Sequence, residues 1–249
     1  MSNASRIIGI IIVFALLFVK LPSLALEIIL GLEMASIVAL LFFAFSKKQL
    51  CFFPVFLLFF TFFSVGTGVA FSRAALVGLV EEEYVSLVAP LSDLICQGNF
   101  VNGIITSVVL LLGLAYSVKY SACSVSETDA RFALDDMSYK NYCVDANLND
   151  GKISQTEADA ERKRIRDEAD YYSSLYGFAK LLLGTAIVIS LFCVVLFAVA
   201  VAIQILQNST AYLQAVDIAA KIVSSCAVFF SIPLMLISIC FKISISHNK

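Results

Sequence analysis

Six stretches of this chain, roughly residues 6–22, 24–46, 51–71, 99–119, 181–206 and 220–242, are almost wholly apolar. A hydrocarbon core about 30 Å thick demands roughly twenty apolar residues of a helix that crosses it. Lipid offers the backbone no hydrogen bonds, so only helices and closed barrels can span it. The runs are continuously apolar rather than alternating, which argues against a barrel. With 60% hydrophobic residues, 14% charged ones and no tryptophan, the chain is too apolar for a soluble domain of its size. The sequence predicts an all-α polytopic membrane protein with about six transmembrane helices.

Lys20, Leu21 and Pro22 separate the first two runs. Proline lacks a backbone N–H and ends the helix before it, so a tight hairpin is expected there. Arg6 and the first run have the outline of a secretory signal, but no small-residue cleavage site precedes Lys20 and a second run follows at once. The first helix is therefore expected to be retained. Orientation follows the lysines and arginines. An N-terminus in the cytoplasm puts Arg6, Lys47, Lys48, Lys119, Lys180, Lys242 and Lys249 inside with the long polar loop, and leaves only Lys20, Arg73 and Lys221 outside. Six crossings then return the C-terminus to the cytoplasm.

The expected organisation is four helices within 1–120, a cytoplasmic loop over 121–179, and two helices with a short tail over 180–249. Of the 19 acidic residues, 12 lie in that loop, so it faces water. Ser154-Gln155-Thr156-Glu157 fits a capping box, in which hydroxyl and carboxylate satisfy reciprocal backbone donors. A charged helix should start there, supported by Asp159–Lys163 and Arg166–Asp170 at i,i+4, and Lys180 leads it into the fifth run. Near 74–97, Val85, Leu87, Val88, Leu91, Leu94 and Ile95 recur at three-to-four-residue spacing. That spacing predicts an amphipathic helix at the outer interface.

Candidate chemistry is sparse. Asp145-Ala146-Asn147-Leu148-Asn149-Asp150-Gly151 with Glu157 looks like a calcium-binding EF-hand loop, which needs glycine at position 6 and glutamate at position 12. Counted from Asp145 they fall at 7 and 13, and no clear helix precedes Asp145. A turn and a helix cap fit the text better, and no metal is expected. Seven cysteines without CxxC spacing give no disulfide framework or metal site. The single histidine, His247, lies in the tail. Nothing resembles a nucleotide loop, a nucleophile elbow or a hydrolytic dyad, so neither an enzyme nor a cofactor is expected. The basic run Arg162-Lys163-Arg164-Arg166 is interleaved with acids and reads as a solvated helix face, with no nucleic acid as partner. Within the runs, Glu27 lies near the outer boundary, Glu33 mid-run, and Asp217 with Lys221 at the outer start of the sixth. An ionisable group in lipid marks an ion path or a pairing between helices, and Glu33 is open to both readings. Glu33, Asp217 and Lys180 form the candidate proton path.

At these residues the chain resembles the membrane half of the FHIPEP family, the export gates of flagellar and virulence type III secretion systems. Glu27 and Glu33 stand where the family usually has an aspartate and an asparagine, and the likeness continues through Phe53-Pro54, Arg73, Gly98-Asn99-Phe100 and Gly103. The family's loop signature is matched in order. Arg131, Phe132, Leu134, Asp135 and Met137 fit its opening, Asp145 with Leu148-Asn149 its centre, and Glu168-Ala169-Asp170, Tyr172, Gly177, Lys180 and Gly184 its close. Ile232-Pro233 and Leu236-Ile237-Ser238 match the sixth helix.

The departures fall on charges. A family arginine in the third run appears as Ser64, an arginine and aspartate in the fifth as Leu183 and Thr185, and an acid in the sixth as Cys226. The family uses those charges with the proton gradient. The resemblance implies a bacterial inner-membrane export-gate component, part of a homo-oligomeric ring around the export channel. Its partners would be other type III export apparatus membrane proteins and membrane lipid. A small proton-coupled secondary transporter is the alternative from another class, although no internal repeat supports it. The family continues with two more helices and a large cytoplasmic domain. A chain ending at Lys249 is then a fragment or a truncated, inactive remnant.

Overall fold

The computed structural model describes residues 18–19, 22–45, 53–81, 88–206 and 210–246. Among them every regular element is helical: α1 (Ser23–Phe45), α2 (Phe53–Glu81), α3 (Val88–Cys96), α4 (Phe100–Arg131), a π-helical turn (Phe132–Asp136), α5 (Met137–Asn149), α6 (Gln155–Leu206) and α7 (Tyr212–Ser246). Five of these, α1, α2, α4, α6 and α7, are long and apolar enough to cross a membrane. The expected first helix up to residue 17 and the Lys20-Leu21 step of its hairpin lie outside the described residues.

The bundle is assembled around α7, whose most apolar window is 67% buried and which packs on α1, α2, α3, α4 and α6. Its inward side is built from small residues: Ala215, Ala219, Ala220, Ser224, Ser225, Ala227, Ser231 and Ser238 are all buried. Between helices in lipid there is no hydrophobic drive, and small residues let backbones approach and gain dispersion contact. Hydroxyls then lock the register. Ser121 donates to the Ser238 carbonyl at 3.1 Å, and Ser238 Oγ donates to the Ser117 carbonyl at 3.0 Å.

The 52 residues of α6 make one unbroken helix about 78 Å long at 1.5 Å per residue, far beyond a bilayer. Ala158, Ile165, Tyr172, Ala179, Ala186, Cys193 and Ala200 are all buried, one every seventh residue. This seam continues from the polar loop through the apolar span without a break. In the loop it meets α5, where Val144, Ala158 and Ile165 form a small core of their own with Met137, Leu148 and Ile153. In the span it joins the main core with α4 and α7.

Within the stretch near 74–97, α2 continues to Glu81, and α3 turns Ser92 and Cys96 inward with Leu91 and Ile95 partly buried, while Leu94 is 73% exposed. Val85 and Leu87 of the expected amphipathic helix lie outside the described residues. A left-handed Gln97-Gly98 pair (φ 48° and 77°) ends α3, and Asn99 caps α4 by accepting from Val101 N–H at 3.0 Å. One sequence expectation is revised in detail: a helix does precede Asp145, since α5 runs through it to Asn149.

Candidate functional site

The inward stripe of α1 is Leu26, Leu30, Glu33, Ile37, Leu40 and Ala44, all buried, at alternating four- and three-residue steps. That spacing puts one face of a helix against its neighbours, and it carries Glu33 with it. Among the described residues Glu33, at 1% exposure, is the only buried carboxylate or cation. Its Oε2 accepts from the Thr67 hydroxyl of α2 at 2.5 Å. Thr67 Oγ1 also lies 3.0 Å from the Ser64 carbonyl one turn earlier. Glu33 Oε1 and Ser64 Oγ are buried without hydrogen-bond partners. A single hydroxyl proton therefore faces two acceptors, while two further oxygens beside it are unsatisfied.

The depth of this cluster follows from packing. Gly68, next to Thr67, is pressed so closely on Phe230 of α7 that a Cβ would stand 2.3 Å from the ring. Phe230 is thirteen residues from Asp217, about 20 Å along α7. It is eleven residues from Phe241, about 17 Å, and Phe241 packs on Phe178 of α6 at 5.1 Å. Glu33 thus lies midway between the Asp217 level and the Lys180 level.

The other candidate path residues stand apart from it. Asp217 pairs with Lys221 at 2.8 Å, both about one-third exposed. Lys180 is exposed, its ammonium 4.6 Å from the centre of the Tyr176 ring. Thr67 and Ser64, the groups that touch or adjoin Glu33, were not singled out as its partners by sequence. Pairing over 34 residues between two apolar helices leaves no local signature.

The loop signature builds a helical hairpin from α4, the π turn, α5 and α6. Phe132 opens the π turn and packs on Tyr172 at 4.9 Å, with Lys140 Nζ 4.9 Å above its ring. Lys140 also binds Glu168 at 2.8 Å, so Phe132, Glu168 and Tyr172 meet around a lysine that the sequence did not flag. Burial, with the nearby Glu168 charge adding to it, pushes the Tyr172 phenol up. Asp145 binds Arg162 across the hairpin at 2.7 Å. Met137 and Leu148 fill the small core, while Arg131, Asp135 and Asp170 are exposed. Of Leu134 the backbone alone is described.

The EF-like text has a different use. Gly151 takes φ 70°, its N–H donates to the Leu148 carbonyl at 3.1 Å, and Lys152 N–H donates to Asn147 at 2.9 Å. These two bonds are a Schellman ending of α5, which needs a left-handed residue where the glycine stands. Three residues later the capping box is complete. Ser154 N–H donates to Glu157 Oε2 at 2.7 Å, and Glu157 N–H donates to Ser154 Oγ at 3.3 Å. The Ser154 backbone bond holds the Glu157 carboxyl below its ordinary range. On the helix that follows, Asp159 binds Arg162 rather than Lys163. The expected Arg166–Asp170 contact is absent from the ion pairs of the described residues.

A sequence model of the FHIPEP family matches residues 12–249. The chain belongs to the FHIPEP family. It is similar to the flagellar biosynthesis protein FlhA of Bacillus subtilis (strain 168), 28% identical over 239 residues, which is 95% of this chain and 35% of that protein. FlhA of Caulobacter vibrioides is 33% identical over 199 residues, 75% of this chain and 27% of the relative. FlhA of Escherichia coli (strain K12) is 31% identical over 211 residues, 80% and 30% respectively. The chain thus spans about a third of the length of these relatives. No solved structure matches it. Of the four residues expected in place of family charges, Ser64 keeps a buried hydroxyl without a partner, and the other three are accommodated by packing or a local hydrogen bond. Thr185 returns its hydroxyl to the Leu181 carbonyl at 2.8 Å, Leu183 packs on the main core, and Cys226 is buried within it.

Proposed function

We propose that this chain is the membrane portion of a flagellar or virulence type III export gate in a bacterial inner membrane. The observation that carries the reading is the FHIPEP match over residues 12–249, with the loop signature folded into one hairpin continuous with a membrane-spanning helix. On this reading the hairpin lies in the cytoplasm and contacts neighbouring subunits or other export-apparatus membrane proteins. The apolar helices form part of a ring around the export channel.

Glu33 is the carboxyl placed to carry a proton across the middle of the bundle. Ionised, it accepts from Thr67; protonated, it donates to Thr67, whose own proton then turns to the Ser64 carbonyl. One proton gained or lost exchanges two hydrogen-bond arrangements without moving a helix. Asp217 at the outer boundary and Lys180 as a partner at the inner one complete the proposed path. The test is secretion of type III substrates by cells carrying wild type or Glu33→Gln, with and without a protonophore. The reading expects protonophore-sensitive secretion by wild type and altered sensitivity in the variant. Equal, protonophore-sensitive secretion by both forms removes Glu33 as the relay. Absence of secretion from wild type supports the inactive remnant instead.

A further inference from the structure

Where α6 enters the apolar span, three adjacent helices each bring one lysine to a common level. The Ser121–Ser238 and Ser117–Ser238 bonds fix residues 117–121 of α4 beside 238–242 of α7, and the Phe178–Phe241 contact fixes α6 at the same height. Lys119, Lys180 and Lys242 therefore lie at one level, and on α4 Lys119 is one turn from Tyr116 and next to Tyr120, on which Lys242 rests. Lys242 Nζ sits 3.5 Å from the centre of the Tyr120 ring, and Tyr120 stacks parallel to Tyr116 at 6.2 Å. Tyr116 and Tyr120 are 72% and 53% exposed.

Among the described residues no carboxylate pairs with these lysines. Along α4 the next acid is Glu127, eight residues and about 12 Å beyond Lys119. Along α6 the nearest is Asp170, ten residues and about 15 Å before Lys180. In α7, Asp217 lies at the other end of the helix. Tyrosines that face outward at a lysine level are the anchors of a headgroup region. An ammonium resting on a ring still has N–H donors to offer.

We propose that this surface of α4 and α7 is a binding site for an anionic phospholipid. Lys119 and Lys242 take the headgroup phosphate beside the Tyr116–Tyr120 step. Two like charges with no ion-pair partner among the described residues make a site that selects anionic over zwitterionic headgroups. The proposal needs only that α4, α6 and α7 are embedded in a bilayer. It stands or falls separately from the export role.

The chain contains no tryptophan, so Tyr116→Trp gives the full chain a single indole at the site. In phosphatidylcholine nanodiscs, brominated phosphatidylglycerol should quench that indole more than brominated phosphatidylcholine at equal mole fraction. Each lysine near a membrane surface contributes about a fivefold preference for anionic lipid. Lys119→Gln should lower the preference about fivefold, and Lys119→Gln with Lys242→Gln about 25-fold, whereas Lys242→Arg should retain it. Lys119 is exposed, so its single variant carries the test even if changes at Lys242 impair folding. Equal quenching by the two lipids overturns the proposal, as does a preference that survives the double variant. Loss of the preference in excess inorganic phosphate, with sodium chloride at matched ionic strength leaving it intact, would assign the site to free phosphate and overturn the proposal too.

Discussion

Gly68→Ala is the sharpest probe of how the bundle holds Glu33 at its centre. The added methyl would stand 2.3 Å from Phe230 Cε1, 2.6 Å from Cδ1 and 2.8 Å from Cζ. Carbon atoms settle at 3.5–4.0 Å, so something must yield by about 1.2 Å or more. The ring has nowhere to go: Phe230 is 1% exposed and meets Phe192 edge-on at 5.7 Å. Its neighbour Phe229 is set against Phe71 at 4.4 Å. The strain therefore falls on the α2–α7 separation. Overpacking of this kind costs about 1–3 kcal/mol. For a chain of this size that is a fall of about 2–12 °C in the melting midpoint, readable by thermal unfolding of the purified protein in detergent. Phe230→Leu frees the space, so the double variant should be more stable than the sum of the two single effects predicts. A Gly68→Ala protein that melts with wild type, or strictly additive effects in the cycle, would refute the close contact.

The remaining predictions concern the hairpin. A cysteine at Ser154→Cys should gain no label over the parent from an impermeant thiol reagent applied to the periplasmic face of intact cells; a gain there reverses the proposed topology. Calorimetric titration of the purified chain should show no calcium binding that Asp145→Asn abolishes, because Asp145 is held by Arg162 and Gly151 ends a helix. Ser154→Ala should cost about 1 kcal/mol of local stability, seen as faster hydrogen exchange at the first amides of α6. Because the Glu157 carboxyl is depressed in the folded hairpin, its contribution is present above the ordinary glutamate range. It is lost as pH falls through the folded value. Glu157→Gln should remove that acid dependence from the exchange of the same amides, and an unchanged pH profile would contradict it.

The membrane helices were legible because lipid leaves so few options: α1, α2, α4, α6 and α7 coincide with apolar runs. The capping box was legible because both halves lie within four residues. What composition hid is the continuity of α4 past the end of its apolar run to Arg131, whereas the passage of α6 from the charged loop into the fifth run was expected. α4 runs on past Ser121 with Ser126 and Thr128 returning their hydroxyls to the Ala122 and Ser124 carbonyls within the helix, although such residues also favour turns. The seven-residue seam of α6 was hidden by its makeup, since Ala158, Ala179, Ala186 and Ala200 carry little apolar weight. Asn147 to Gly151 were open to two readings for a physical reason. The residues that supply oxygens to calcium also end helices, and only the φ of Gly151 and its hydrogen bonds distinguish the two uses.

Glu33 was found by its depth, but its partner decides what it does, and variants can separate structure from proton carriage. A glutamine at Glu33→Gln has nearly the same volume and can still engage Thr67, so the link between α1 and α2 should survive. Its melting midpoint should stay within about 2–4 °C of wild type, the shift for about 1 kcal/mol. It cannot take up or release a proton, so any proton-dependent function should be lost. Thr67→Val keeps the carboxyl and removes the hydroxyl. A polar contact between helices in lipid is worth about 0.6 kcal/mol on average and up to about 1.7, so this variant should lose stability on that scale while retaining a titratable group. Asp217→Asn, at a partly exposed pair with Lys221, should change both properties least. A relay predicts that Glu33→Gln is stable and uncoupled. A packing role predicts that function follows stability through all three variants, with Thr67→Val more impaired than Glu33→Gln. Secretion and melting measured on the same set decide between them, and a Glu33→Gln protein that is stable and fully coupled ends the relay.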